Sequence, residues 1–234
     1  MKKKSLLWLS ALLLMLAGCS SSDDGDDNNV SSQECRYSYQ NTLPSDENKV
    51  VTTQDSWTIT TYANMITRAE FNSNPPSSAE SFFKDKMPLT TDNVLKFTNS
   101  LKNSSTNYKH FDQLYKGMQV NRCGYTCNYD ENDVLKSIEG AFVPIDDLDV
   151  NPTISQDQAK HIIAKYLHLN DSEIPILLQI TPFYTNGIID VRLTYVYGKS
   201  VGCFAYYECF VDAHSGEMLS SDFPSNRYSS HLLK

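Results

Sequence analysis

The sequence predicts an α+β fold of two consecutive small units, each a helix packed on an antiparallel sheet. Two observations lead to this prediction. A capping box, Ser77-x-x-Glu80 or Ser155-x-x-Gln158, opens each of two predicted helices. Strand-like runs separated by polar turns follow each helix. A helix against about four antiparallel strands can bury one apolar face, so each unit is expected to hold its own core.

The start of the chain predicts export. Three lysines, Lys2 to Lys4, precede an apolar run over residues 6–17, and small residues follow it. This order is typical of a secretory signal, and the run is shorter than the roughly 20 apolar residues that span a membrane. Leu16-Ala17-Gly18-Cys19 resembles the bacterial lipoprotein cleavage box. The resemblance implies a signal peptide at 1–18 and an acylated Cys19; an uncleaved anchor is the alternative.

Residues 19–32 are rich in serine and aspartate and predict a disordered tether. The acidic tract resembles the surface-display signal of Bacteroidetes-type lipoproteins, and a plain solvated linker is the alternative. We therefore expect an outer-membrane lipoprotein of the cell envelope, with surface or periplasmic display left open. Loss of the three lysines leaves 17 basic against 28 acidic residues, a net charge of −11. With no basic cluster after residue 30, nucleic-acid binding is not expected.

Three further segments follow the tether. Residues 33–76 have no assignment, although β-branched runs at 50–53 and 58–62 predict strands. We expect this extension to add a strand to a sheet and Cys35 to tether it there. The first unit spans 77–152 and the second spans 153–223, before a tail at 224–234. The predicted elements of the units are a helix at 79–86, strands at 94–97 and 108–115, a hairpin at 120–142, a helical stripe at 159–167, and strands at 176–180, 188–197 and 203–211.

Two spaced motifs lie in the first unit. Gln113-x-Tyr115-x-Gly117-x-x-Val120 leads into the predicted hairpin, which ends in Gly140-x-Phe142-x-Pro144. Both motifs, at this separation, resemble the fungalysin/thermolysin propeptide domain.

The second unit ends in a run from Phe210 to Leu219 that includes Asp212 and Gly216 and resembles the closing hairpin of the PepSY domain. Peptidase precursors carry the two domains in this order. The resemblance implies cystatin-like or PepSY-like units, which in precursors fold and inhibit the attached peptidase. It also makes Gln113, Tyr115, Gly117 and Val120 candidate partner-binding residues; the alternative is that they stabilise the fold.

Catalytic motifs are absent from the sequence. No His-Glu-x-x-His, Gly-x-Ser-x-Gly or phosphate-binding glycine loop occurs, so we expect no enzyme, no metal and no cofactor. Asp212 and His214 precede Ser215-Gly216, a pattern that favours a turn over an acid–base pair. His110 stands near the place where the propeptide family has an arginine, which weakens any transfer of a specific contact.

Five cysteines remain if Cys19 is acylated. Cys123 and Cys127 would lie roughly 13 Å apart in a straight strand, beyond the bridging limit of about 7 Å. Pairing is therefore expected between strands, between units or with Cys35, unless Gly124 bulges the strand. The others are Cys203 and Cys209, and an odd number leaves at least one thiol outside internal pairs. The competing interpretation is a zinc site. It would be formed by Cys123, Cys127, Cys203 and Cys209, whose spacing does not favour it.

These features predict a non-catalytic, lipid-anchored module that binds another protein. The leading hypothesis is that it inhibits, or helps to fold, a separately encoded exported metallopeptidase. The alternative is a surface binding or scaffold lipoprotein with no peptidase link.

Overall fold

A computed structural model describes residues 49–54, 56–185, 188–201 and 205–221. All of them belong to one compact unit, residues 33–234. The predicted signal peptide, the tether and the tail lie outside the described residues, as do Cys19, Cys35 and Cys203. None of the described helices is long and apolar enough to cross a membrane.

The α+β prediction was wrong. The described residues are mostly β, with 53% strand and 14% helix, and the sheet curls into a half-barrel. Two α-helices occur among the described residues, and the strands form one continuous sheet instead of two separate helix-on-sheet units. The described strands are β1 (Lys49–Gln54), β2 (Trp57–Tyr62), β3 (Met65–Phe71), β4 (Asn93–Lys102), β5 (Asn107–Tyr115), β6 (Met118–Tyr129), β7 (Leu135–Ala141), β8 (Leu177–Thr185), β9 (Ile188–Val201), β10 (Ala205–Asp212) and β11 (Met218–Ser221).

The long strand β6 is the reason why one sheet forms. Its later residues pair antiparallel with both β5 and β7, and near its start Val120 pairs in parallel with Ile180 of β8. Strands β8 to β11 continue from that bridge as antiparallel neighbours. On the other side, β3 pairs with β7, so the segment over residues 49–71 adds three strands to the sheet. Sequence spacing did not indicate either connection.

The two helices lie at the predicted places. Helix α1 (Ala79–Lys86) is capped by Ser78 and Ser81, so the predicted box at Ser77 and Glu80 was one residue early. Helix α2 (Gln156–Leu167) has the predicted box, with Ser155 accepting from the Gln158 backbone N–H and the Gln158 side chain accepting from the Ser155 N–H. It ends at His168, which adopts a left-handed conformation.

The buried apolar residues form a series of adjoining cores. The α1 core packs Phe82 and Phe83 of α1 against β2, β3, β5, β6 and β7. The central core joins residues of β2 and β3 to residues of β6, β8 and β9. The α2 core packs Ile163 of α2 against β9, β10 and β11. The central core therefore draws on both halves of the chain.

Candidate partner-binding surface

Gln113 is fully buried and serves the fold. Its amide nitrogen donates to the carbonyl of Val143 at 2.6 Å, and its amide oxygen accepts from the N–H of the same residue at 2.9 Å. The side chain thus ties β5 to the segment that follows β7. Both ends of the amide are used internally, which leaves it nothing to offer a partner.

The other residues of the first motif lie at the hairpin between β5 and β6. Tyr115 is buried, and its hydroxyl donates to the carbonyl of Asp146 at 3.4 Å and accepts from the N–H of Leu148 at 3.3 Å. Val120 is buried in the central core. Gly117 is exposed at the turn with φ +81°, next to a neighbour that also has positive φ, which suits the tight hairpin turn. Gly117 is the one residue of this motif that a partner could touch.

The second motif is structural in a different way. Gly140 has φ +152° in β7, and an added Cβ would overlap the backbone carbonyl of Gly124 in β6. Only glycine fits such a close approach of two strands. Phe142 is buried in the α1 core, whereas Pro144 is exposed.

Asp212 and Gly216 form the turn between β10 and β11. One carboxylate oxygen of Asp212 accepts from the N–H groups of His214 and Ser215, each at 2.8 Å. The other lies 3.6 Å from Arg192. Gly216 has φ +76° and donates its N–H to the Asp212 carbonyl. The carboxylate is therefore engaged in organising the turn.

Three cysteines fall within the described residues and all are buried; Cys123 and Cys127 are free thiols. Cys123 lies in the central core and Cys127 in the α1 core. Burial raises the pKa of each thiol to about 12. The Sγ of Cys209 lies 3.3 Å from the Sδ of Met218. No group of three His, Cys, Asp or Glu side chains in this part of the chain could hold a metal ion.

One polar cluster, which sequence reasoning did not single out, has the order hydroxyl, imidazole, carboxylate. The Nδ1 of His110 lies 3.0 Å from the Thr126 hydroxyl, and its Nε2 lies 3.1 Å from the Asp112 carboxylate. His110 and Thr126 are direct cross-strand partners on β5 and β6. The neighbouring backbone belongs to the strand ladder, so it does not present the pair of free N–H groups that nucleophilic catalysis uses. The cluster is best described as a cross-strand polar ladder.

The ends of the sheet differ sharply. Three strands are terminal in the described part of the chain: β1, β4 and β11. Strand β4 carries a register shift between Phe97 and Asn99, and lysines at positions 96 and 102. Bulges and lysines are devices that discourage the pairing of an edge with another chain. In β11, the residues from Met218 to Ser220 are buried.

Strand β1 has a lysine, Lys49, at its first residue but carries no bulge. Its six residues pair with β2 in unbroken register, and all six are exposed. Val50 and Val51 are 60% and 61% exposed. The β-branched run that predicted this strand from sequence gave no sign that it would end the sheet.

A groove lies near this edge on the α1 side of the sheet. It has a volume of about 390 Å³, with an apolar floor and polar residues along the rim. Thr52 and Gln54 of β1 pair with Ile59 and Trp57, which line the groove. The remaining lining residues are Ser56, Phe71, Asn74, Pro76, Ser81, Phe82, Asp85 and Lys86. The edge and the groove together form the candidate surface.

No family model matches the chain, and no curated protein matches it. The resemblance to propeptide and PepSY domains therefore stays a prediction.

Proposed function

We propose that this protein is a non-catalytic, lipid-anchored module of the cell envelope that binds an extended segment of another protein along β1. The proposal rests on the exposure, the regular pairing and the side chains of that edge strand. Among the three terminal strands, β1 alone combines full exposure, unbroken register and apolar side chains. An edge of this kind presents a row of N–H and C=O groups to an incoming strand.

Strand addition supplies affinity and specificity separately. The main chain of the incoming segment would bond to the outer side of β1, while alternate side chains would meet the surface on either face. The groove floored by Trp57 and Ile59 of β2 lies on the α1 face, across β1 from the incoming segment. In this proposal it receives a large apolar side chain of that segment. Acylation at Cys19 would hold the module at the membrane, where an exported partner passes.

The resemblance supports one class of partner, a separately encoded exported metallopeptidase that is inhibited or helped to fold. The burial of Gln113, Tyr115 and Val120 means that those motif residues act through the fold in this proposal. A surface scaffold lipoprotein with no peptidase link is the second candidate, and it uses the same edge.

The test is capture from the envelope fraction of the source organism with the full mature chain and two variants. Val51→Lys places a charge on the edge, while Ile188→Lys is the matched control at a residue that is 69% exposed elsewhere. Both are surface changes that should leave stability within about 0.5 kcal/mol. We expect the wild type and Ile188→Lys to retain a common partner and Val51→Lys to lose it.

Any recovered peptidase is then assayed with and without the wild-type chain. Slowing at micromolar concentrations supports the inhibitor hypothesis, whereas a retained partner without peptidase activity favours the scaffold. Equal capture by wild type and Val51→Lys would rule out β1 as the binding edge.

A further inference from the structure

Strand β1 directs half of its backbone groups away from the sheet. It is a terminal strand with β2 as its neighbour, and the pair of Gln54 and Trp57 flanks the two-residue connection between them. Residues in that position hydrogen-bond to each other, and bonded pairs then alternate with non-bonded pairs along an antiparallel hairpin. The even-numbered residues of β1 therefore bond to β2, whereas Lys49, Val51 and Thr53 direct their N–H and C=O groups outwards.

Strands β1 and β2 form a region without carboxylates on an acidic protein. The chain has 28 acidic residues against 20 basic ones. Neither strand contains aspartate or glutamate, and Lys49 is the one charged residue of the two strands. Copies of a negatively charged chain repel one another, and the repulsion is smallest where no carboxylates meet. The β1 edge is therefore a place where a second copy can approach.

The order of residues in β1 fits antiparallel pairing with itself about a two-fold axis at Val51. In that register Val51 lies opposite its own copy, and Val50 faces Thr52 of the second copy. Lys49 faces Thr53 of the second copy, so no like charges stand opposite each other. The residues whose backbone points outwards then face one another, as an antiparallel ladder requires.

This register also groups the apolar side chains. Val50 and Val51, which are 60% and 61% exposed, fall at the centre of the paired strands, and one Lys49 lies at each end. An apolar centre with a polar rim is the usual arrangement of a protein interface. A two-fold axis at Thr52 would instead separate the Val51 side chains of the two copies.

The length of the edge predicts a weak dimer. Strand β1 has six residues, whereas a stable interface uses about 20–30 residues on each side. Such a dimer forms and separates readily, and it would be favoured by the high local concentration that an acyl anchor gives to copies on one membrane.

We infer that β1 pairs with β1 of a second copy and so continues the sheet across a two-fold axis. The consequence for regulation rests on the proposed function, because the same outward backbone groups would bind the partner segment. Self-pairing and partner binding therefore exclude one another, and the dimer covers the edge when no partner is present.

The first test is sedimentation velocity of the purified full mature chain between about 5 μM and about 500 μM, a range suited to a small interface. We expect the average sedimentation coefficient to rise with concentration towards that of a dimer. Ile188→Lys is the exposed control and should behave like the wild type. A monomer over the whole range would overturn the inference, even if envelope capture recovers a partner at β1. A dimer without any captured partner would contradict the proposed function alone.

The position of the axis is tested by mixing two charge variants. Val51→Lys and Val51→Glu each place like charges opposite one another, so each alone should dimerise at least tenfold more weakly than the wild type. An equimolar mixture should restore the dimer, because opposite charges then meet at the axis. Circular dichroism checks that both variants fold, as expected for changes at an exposed residue. A mixture that sediments like the separate variants would contradict pairing about Val51.

Discussion

At the scale of single residues, Cys123 and Cys127 show how burial controls chemistry. Each lies inside a core, and the loss of hydration raises the pKa of its thiol from about 9 to about 12. The neutral thiol is the form the folded protein favours, and the thiolate is the form that reacts. We therefore expect both cysteines to be inert until the chain unfolds.

This pKa difference predicts a loss of stability at alkaline pH. An unfolded thiol ionises above about pH 9, whereas the folded one keeps its proton until about pH 12. The stabilisation is therefore complete below pH 9 and declines as the pH rises towards 12. At about pH 10.5 the loss should be about 2 kcal/mol for each thiol. The measurement is the free energy of unfolding in urea between about pH 8 and pH 10.5.

The control for this prediction is the double variant Cys123→Ala, Cys127→Ala. Its free energy of unfolding should fall less steeply with pH than that of the wild type, because two of the titrating groups are gone. Parallel curves for the two proteins would mean that the buried thiols do not contribute.

At the scale of elements, local signals located the helices well. Helix α1 begins and ends at the predicted residues, and α2 has the predicted capping box. The error at α1 arose because Ser77 and Ser78 are adjacent and either could cap the helix. Only the backbone decides between them: Ser78 is extended, with φ −156°, and its hydroxyl accepts from the Ser81 N–H at 3.1 Å.

Three alanine substitutions distinguish the capping serines. Ser78→Ala and Ser155→Ala should each lower the free energy of unfolding by about 1 kcal/mol, because each leaves an N–H group of the first turn unpaired. Ser77→Ala should cost less than about 0.5 kcal/mol, since its hydroxyl makes only an exposed contact with Ser81. Urea denaturation of the three variants measures this. A larger loss for Ser77→Ala than for Ser78→Ala would contradict the assignment.

The positions of the strands in the sequence were easier to predict than their pairing partners in the sheet. Alternation and β-branched runs indicated most of them, including residues 50–53 and 58–62 in the unassigned extension. The sequence gave no indication that β3 pairs with β7 or that β6 bonds to β8, because such pairings depend on backbone groups that every residue carries.

At the scale of the whole molecule, the shared sheet and the central core predict cooperative unfolding. Phe111 belongs to the α1 core and Ile163 to the α2 core, and the central core lies between those halves of the chain. Phe111→Ala should cost about 3–5 kcal/mol and Ile163→Ala about 2–5 kcal/mol. We expect each to shift the same single transition in calorimetry, with the calorimetric and van't Hoff enthalpies equal. Two transitions, each moved by only one variant, would show that the halves unfold separately.

The candidate surface also depends on the arrangement of the whole sheet. That β1 and β4 end the sheet follows from the order of strands, and the bulge in β4 follows from its register with β5.

The sequence by itself determined the helices, most of the strands and the glycine-dependent turns, because these depend on capping side chains, periodicity and backbone freedom within a few residues. From the first 19 residues we expect an export signal. The tertiary structure decided that the strands form one curled sheet, that Gln113 and Tyr115 are internal supports, and which edge of the sheet is exposed. The physical reason is that a hydrogen bond or a buried contact between distant segments leaves no mark on the local pattern of either one.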